Sequence, residues 1–185
     1  MELELSYILS QIFTIITYVL LAITYYAKDR KTVLSLSFLS IITNSLEYVF
    51  LNAYSGMAMC ILALIRNIIF LIDEKKNGKR EKNNAKDIYI LVVLYIIAVI
   101  FAIFTYEGFF SLLSVFATVI YTYSVWQKKT KIYKLCGIPI GVLWILYNAY
   151  VKSIFGIILE AVLLICSITG YIIEVKEKRI KDSKQ

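Results

Sequence analysis

The sequence has no histidine and a single proline, Pro139, in 185 residues. Without imidazole, histidine-based acid–base catalysis is excluded, and the usual zinc and haem sites lose their commonest ligand. The three cysteines (Cys60, Cys136, Cys166) stand singly inside apolar stretches, with no Cys-x-x-Cys spacing. They read most simply as small apolar fillers, with disulfide pairing left open. No nucleotide-binding loop is present either, so any energy coupling would use an ion or proton gradient. Charge is also scarce. Only 18% of residues are Asp, Glu, Lys or Arg, against roughly a quarter in soluble domains, and they gather between long apolar runs.

What is abundant is apolar surface: 60% of residues are hydrophobic and the mean hydropathy is +0.75. A helical span takes ~20 apolar residues to cross ~30 Å of hydrocarbon, so the length holds at most about seven or eight spans. The acidic start Met1-Glu2-Leu3-Glu4, with no small-residue cleavage site after the first apolar run, predicts a retained first helix rather than a signal peptide. Apolar runs fall at 6–26, 32–51, 56–72, 88–106, 109–126, 132–150 and 154–173. Backbone polar groups cannot be left open in lipid, so each run is expected to be a helix. The fold class is therefore all-α integral membrane, with seven transmembrane helices.

The basic residues predict orientation. With the N-terminus outside, Lys28, Arg30 and Lys31 fall in the first inner loop, and Lys75, Lys76, Lys79, Arg80, Lys82 and Lys86 in the second. Lys128, Lys129, Lys131 and Lys134 form the third, and Lys176, Lys178, Arg179, Lys181 and Lys184 the tail. Lys152 alone is then outside and Arg66 alone within a span. The net charge of +7 is thus topology plus contact with anionic lipid, and nucleic acid is not an expected partner.

Shifting the chain by 100 residues pairs Lys28 with Lys128, Lys31 with Lys131, Gly56 with Gly156, Glu74 with Glu174 and Lys76 with Lys176. This predicts two parallel three-helix bundles joined by a linker helix, with a site between them. The expected segments are a first repeat at 1–75, a basic loop and linker helix at 76–106, a second repeat at 107–178 and a basic tail at 179–185. The run 73–87, with Asn77-Gly78 and Asn83-Asn84, marks the boundary of the halves.

Three ionisable residues lie within spans, Glu47, Arg66 and Glu160. Such residues are costly in lipid and face a bundle interior. Helical side chains lean toward their own N-terminus, so Glu47 and Arg66 lean toward each other from neighbouring helices. Their pairing reads equally as helix packing or as part of a site. Glu160 is the strongest candidate for reversible protonation. Small and polar stripes accompany them: Ser153, Gly156, Glu160, Ser167 and Tyr171 on the last helix, and Gly56, Cys60, Ala63 and Asn67 on the third. Gln11, Thr14 and Tyr18 mark the first helix, and Ser111, Ser114 and Thr118 the fifth. These stripes suit an axial cavity, or helix–helix glue of the same composition. Trp144 and Asn148 offer a stacking face and an amide, although Trp144 also suits an interfacial belt, as Trp126 does. Gly137 and Pro139 predict a bend in the sixth helix.

Several short stretches resemble the YgjV-like family of bacterial inner-membrane proteins: Ser10-Gln11, Asn52-Ala53-Tyr54-Ser55-Gly56, Ile65-Arg66-Asn67, Trp126-Gln127-Lys128-Lys129, Leu143 through Asn148, and Gly156 through Glu160 to Ser167 and Gly170. The resemblance implies the bacterial inner membrane and no particular substrate. The three-one-three plan also resembles the SWEET and PnuC transporters, without the proline-centred hinge motifs of the sugar carriers or the Pro-Gln dipeptide of their relatives.

The expected function is a small-molecule carrier or facilitator with substrate-binding residues Gln11, Asn44, Glu47, Arg66, Asn67, Trp144, Asn148 and Glu160. The alternative is a non-transporting scaffold or sensor that binds a partner through its basic cytoplasmic face. A membrane enzyme ranks last, since no nucleophile stands beside a base. No cofactor or metal is expected. The expected partners are membrane lipids, a small polar solute and further copies of the chain in a homo-oligomer.

Overall fold

A computed structural model of the chain describes residues 2–50, 54–77, 85–104, 109–150 and 154–183. Among these, seven helices form and no strand: α1 (Glu2–Thr24), α2 (Arg30–Phe50), α3 (Tyr54–Asn77), α4 (Ala85–Phe104), α5 (Ser111–Trp126), α6 (Thr130–Tyr150) and α7 (Ile154–Asp182). The predicted loop pairs Asn77-Gly78 and Asn83-Asn84 fall wholly or partly outside the described residues, as do Asn52, Ala53, Lys152 and Ser153. Three helices are long and apolar enough to cross a membrane, at Leu5–Thr24, Thr130–Tyr150 and Gly156–Ile180, and shorter apolar stretches run over Asp87–Ile100 and Leu112–Trp126.

Exposed faces of these helices are aliphatic, with the pattern of a soluble protein turned inside out. On α1 the exposed residues include Ile12, Ile16, Val19 and Ile23, on α3 Ile61, Ile65, Ile68 and Ile72, and on α7 Ile158, Val162, Ile165 and Ile172. Their three- and four-residue spacing lays one stripe along each helix. Buried positions are instead often polar, among them Ser10, Thr17, Ser37, Ser40, Asn67, Thr122, Ser124 and Ser167. Outward apolar stripes match a hydrocarbon solvent, and inward hydroxyls find partners on the backbone.

The chain forms two compact units, Met1–Gly78 and Lys79–Gln185. In the first, α2 packs antiparallel against both neighbours. Thr17 of α1 meets Thr43 of α2 at 2.7 Å between hydroxyl oxygens, and Phe13 stacks on Phe50 at 5.6 Å between centroids. Asn44 of α2 donates to the Cys60 thiol of α3. Asp29 starts α2 as its N-cap. Its carboxylate accepts from the Thr32 backbone N–H at 2.8 Å and from the Thr32 hydroxyl at 2.7 Å, satisfying a donor that the first helical turn leaves open. Those bonds, with the Thr32 hydroxyl foremost, hold the Asp29 carboxyl below its ordinary value.

In the second unit α4, α5, α6 and α7 pack in chain order. The Trp126 indole N–H donates to the Asp87 carbonyl at 3.0 Å, tying the end of α5 to the start of α4. Phe110 stacks on Tyr150 at 4.2 Å. At Gly141 of α6 the helices approach closely, for an added Cβ would stand 3.1 Å from Leu164 Cβ of α7. The bend expected at Gly137 and Pro139 interrupts no helix, for α6 runs through both. Helices α3 and α7 continue to Asn77 and Asp182, past the apolar runs predicted to end at 72 and 173. Lys, Glu and Arg are good helix formers, and Lys75 and Lys76 also complement the C-terminal dipole of α3.

Candidate functional site

The first unit carries most of the candidate residues. Helix α2 presents Ser37, Ser40 and Asn44 to α3, which answers with Cys60, Asn67 and Phe70; Ser37, Ser40, Cys60, Asn67 and Phe70 are all buried. The spacing of 37, 40 and 44 against 60, 67 and 70 is that of two helical stripes facing each other. Two contacts fix their register, Asn44 with Cys60 and Arg30 with Glu74. At 1.5 Å per residue this places Asn67 level with Ser37, and Arg66 on the order of 13 Å along the axis from Glu47. The Thr14 hydroxyl of α1 donates to the Ser10 carbonyl at 2.9 Å; Asn44 and Glu47 lie about one turn apart on α2, while Arg66 and Asn67 lie further along the seam. Gln11 is half-buried on α1.

Arg66 is buried, and Asn67 is wholly so, at 0% exposure. Neither Nδ2 nor Oδ1 of Asn67 has a hydrogen-bond partner among the described residues. In the second unit Glu160 is buried at 8% exposure, and the contact of Gly141 with Leu164 brings it level with Trp144. The Trp144 ring stands edge-on to Tyr147 at 5.6 Å, and Asn148 is half-buried on the same helix. Ser167 donates to the Lys134 carbonyl at 2.6 Å, a bond from α7 to α6.

Two ion-pair clusters escaped the sequence reading. Arg30, counted above as a loop charge, is buried, and its Nη1 lies against Glu74 and 3.6 Å from Asp73 Oδ2. Its guanidinium also covers the Phe70 ring at 5.9 Å. Lys134, likewise counted as a loop charge, is four residues inside α6 with its Nζ 2.7 Å from Glu174 Oε2, and Thr130 donates to the other oxygen of that carboxylate at 3.0 Å. Positive charge count alone treats every Lys and Arg at a helix end as solvated. The signal that could have found these pairs is the recurrence of a basic start and an acidic end on helices that a short loop makes antiparallel neighbours.

No group of three or more His, Cys, Asp or Glu side chains among the described residues is placed to hold a metal ion. The seams instead offer amides, hydroxyls and buried charged groups.

Neither the curated proteins nor the solved structures include a match to this chain. The family model for Imp-YgjV, described as a bacterial inner membrane protein, matches residues 8–178. The aliphatic outer faces, the apolar helices of spanning length and this match along almost the whole chain lead to one conclusion: the protein belongs to the YgjV family of bacterial inner membrane proteins.

Proposed function

We propose that the protein is a carrier or facilitator for a small polar solute in the bacterial inner membrane, and not an enzyme. The observation that carries this reading is the burial of Arg66, Asn67 and Glu160 inside helices whose outward faces are aliphatic. An ionisable group within a membrane segment is expensive, and marks a solute or ion path by default. Gln11, Asn44, Glu47, Trp144 and Asn148 complete the proposed solute-binding set. Glu160 is proposed as the group that takes up and releases a proton.

The proposed architecture is seven spans, N-terminus outside and C-terminus cytoplasmic, with α4 linking two repeats of three helices. Several features support the repeat. Helix α2 covers Arg30–Phe50 and α6 Thr130–Tyr150, and α3 and α7 begin at Tyr54 and Ile154. Val33, Ser37, Ser40, Cys60, Asn67 and Phe70 are buried, and so are Tyr133, Gly137, Ile140, Glu160, Ser167 and Gly170 a hundred residues later. Arg30 meets Glu74, and Thr130 meets Glu174. The second reading, a scaffold or sensor docking a partner on basic cytoplasmic loops, draws support from the Ser167–Lys134 bond, where a polar group serves as glue.

The test is flux. Full-length protein in proteoliposomes is offered a panel of small sugars, amides, amino acids and organic acids. The expected result is faster entry of at least one solute, with Glu160→Gln removing its pH dependence. If no solute enters faster than into protein-free liposomes, the scaffold reading replaces this one.

A further inference from the structure

The two units treat equivalent buried positions differently. In the second, Ser167 is satisfied by the Lys134 carbonyl at 2.6 Å, and a Cβ added at Gly141 on the same pair of helices would stand 3.1 Å from Leu164 Cβ. In the first, position 67 is an amide, fully enclosed, with both its donor and its acceptor unmatched among the described residues. On α2, the Ser40 hydroxyl proton is committed to the Ser37 carbonyl at 2.8 Å. A buried carboxamide left in that state is costly, because it has given up water at both atoms and gained nothing.

We infer that Asn67 is the hydrogen-bonding point for a neutral solute group that carries a donor and an acceptor side by side, held in the α2–α3 seam of the first unit. The chemistry follows from the two unmatched atoms. A carboxylate would present only acceptors, repelled by Oδ1, and an ammonium only donors, repelled by Nδ2. A group that both donates and accepts, such as a carboxamide or a ureide, satisfies both atoms at once. The two units then differ at this position, an unmatched amide in the first and a satisfied hydroxyl in the second. This inference rests on the solute-carrier reading for the origin of the guest, but the site itself can be tested without flux.

The experiment uses the full chain, labelled with ¹⁵N-asparagine, in lipid nanodiscs, where no compartments exist and flux plays no part. The side-chain amide signal of Asn67 is assigned by its loss in Asn67→Ser, which copies the residue at 167 and so suits a helix of this packing. Acetamide is titrated, with acetate and methylammonium as charged controls of similar size. The expected result is a saturable shift of the Asn67 signal with acetamide, at least about tenfold weaker or absent with either ion. In Asn67→Ser, acetamide should also cease to perturb the Asn44 amide. An unmoved Asn67 signal overturns the inference, and so does an equal response to acetate. A persistent water contact that acetamide does not displace overturns it as well, since the amide then holds water alone. Should the shift appear while liposome flux fails, the site stands and the carrier reading falls.

Discussion

At the scale of single residues, small groups decide where helices start and how closely they meet. Asp29 caps α2 through Thr32, and replacing a capping carboxylate by alanine costs typically ~1 kcal/mol. The sign of its pH dependence follows from the lowered carboxyl. Stabilisation is complete above the ordinary value of 3.8 and is lost as pH falls through the lowered one. Thermal unfolding in detergent should therefore separate wild type from Asp29→Ala at about pH 7, and the gap should narrow as pH falls through the lowered carboxyl. A difference that persists in acid would point to some other role. Gly141 supplies the opposite kind of test. Its missing Cβ leaves room for Leu164 Cβ and Cα, at 3.1 and 3.5 Å, and neither atom can swing aside as a side-chain tip can. Gly141→Ala should destabilise by about 1–3 kcal/mol, measured by unfolding in mixed micelles, and trimming Leu164 to alanine in the same chain should recover little of that loss, because its Cβ and Cα stay in place. An unchanged midpoint would mean that α6 and α7 part freely.

At the scale of helices, much was legible because lipid imposes a simple code. Apolar runs became helices, and Arg66, Asn67 and Glu160 are buried as an ionisable or amide group in hydrocarbon should be. Arg66, read as leaning toward Glu47, lies on the order of 13 Å along the axis from it in the register set by Asn44 with Cys60 and Arg30 with Glu74. The misses have physical causes. The ends of α3 and α7 ran past the predicted limits because helix propensity continues where hydropathy stops. Arg30 and Lys134 were assigned to loops because their counter-ions, Glu74 and Glu174, lie forty or more residues away and only antiparallel packing brings them near. Serine is too common in such helices for Ser10, Ser37 or Ser40 to have stood out. The ion pairs carry a comparative prediction. Arg30 faces two carboxylates, Asp73 and Glu74, whereas Lys134, at 4% exposure, has Glu174 at 2.7 Å. Removing the partner of a buried charge costs about 3–5 kcal/mol, so Glu174→Gln should lower stability by an amount toward that range. Glu74→Gln should cost clearly less, since Asp73 remains. Equal losses in the unfolding midpoints of the two variants would contradict this account of the clusters.

For the whole molecule, aliphatic faces turned outward and polar groups turned inward suit a protein whose outer solvent is hydrocarbon. Whether its interior is wet or dry separates a carrier from a scaffold, because the same serines, amides and charges serve either as a lined path or as glue. The most direct measurement is cysteine accessibility in a chain whose Cys60, Cys136 and Cys166 are replaced by alanine. Single cysteines are placed at Ser40, Asn44 and Glu160 in the interior, and at Leu39, Ile65 and Ile165 on exposed apolar faces. Each is treated in native membranes with a small charged methanethiosulfonate reagent, which attacks only a thiol that water lets ionise. The account predicts labelling at the interior positions and none at the apolar ones. Interior cysteines as inert as the apolar ones would make the seams dry packing, and the protein would be a scaffold rather than a carrier.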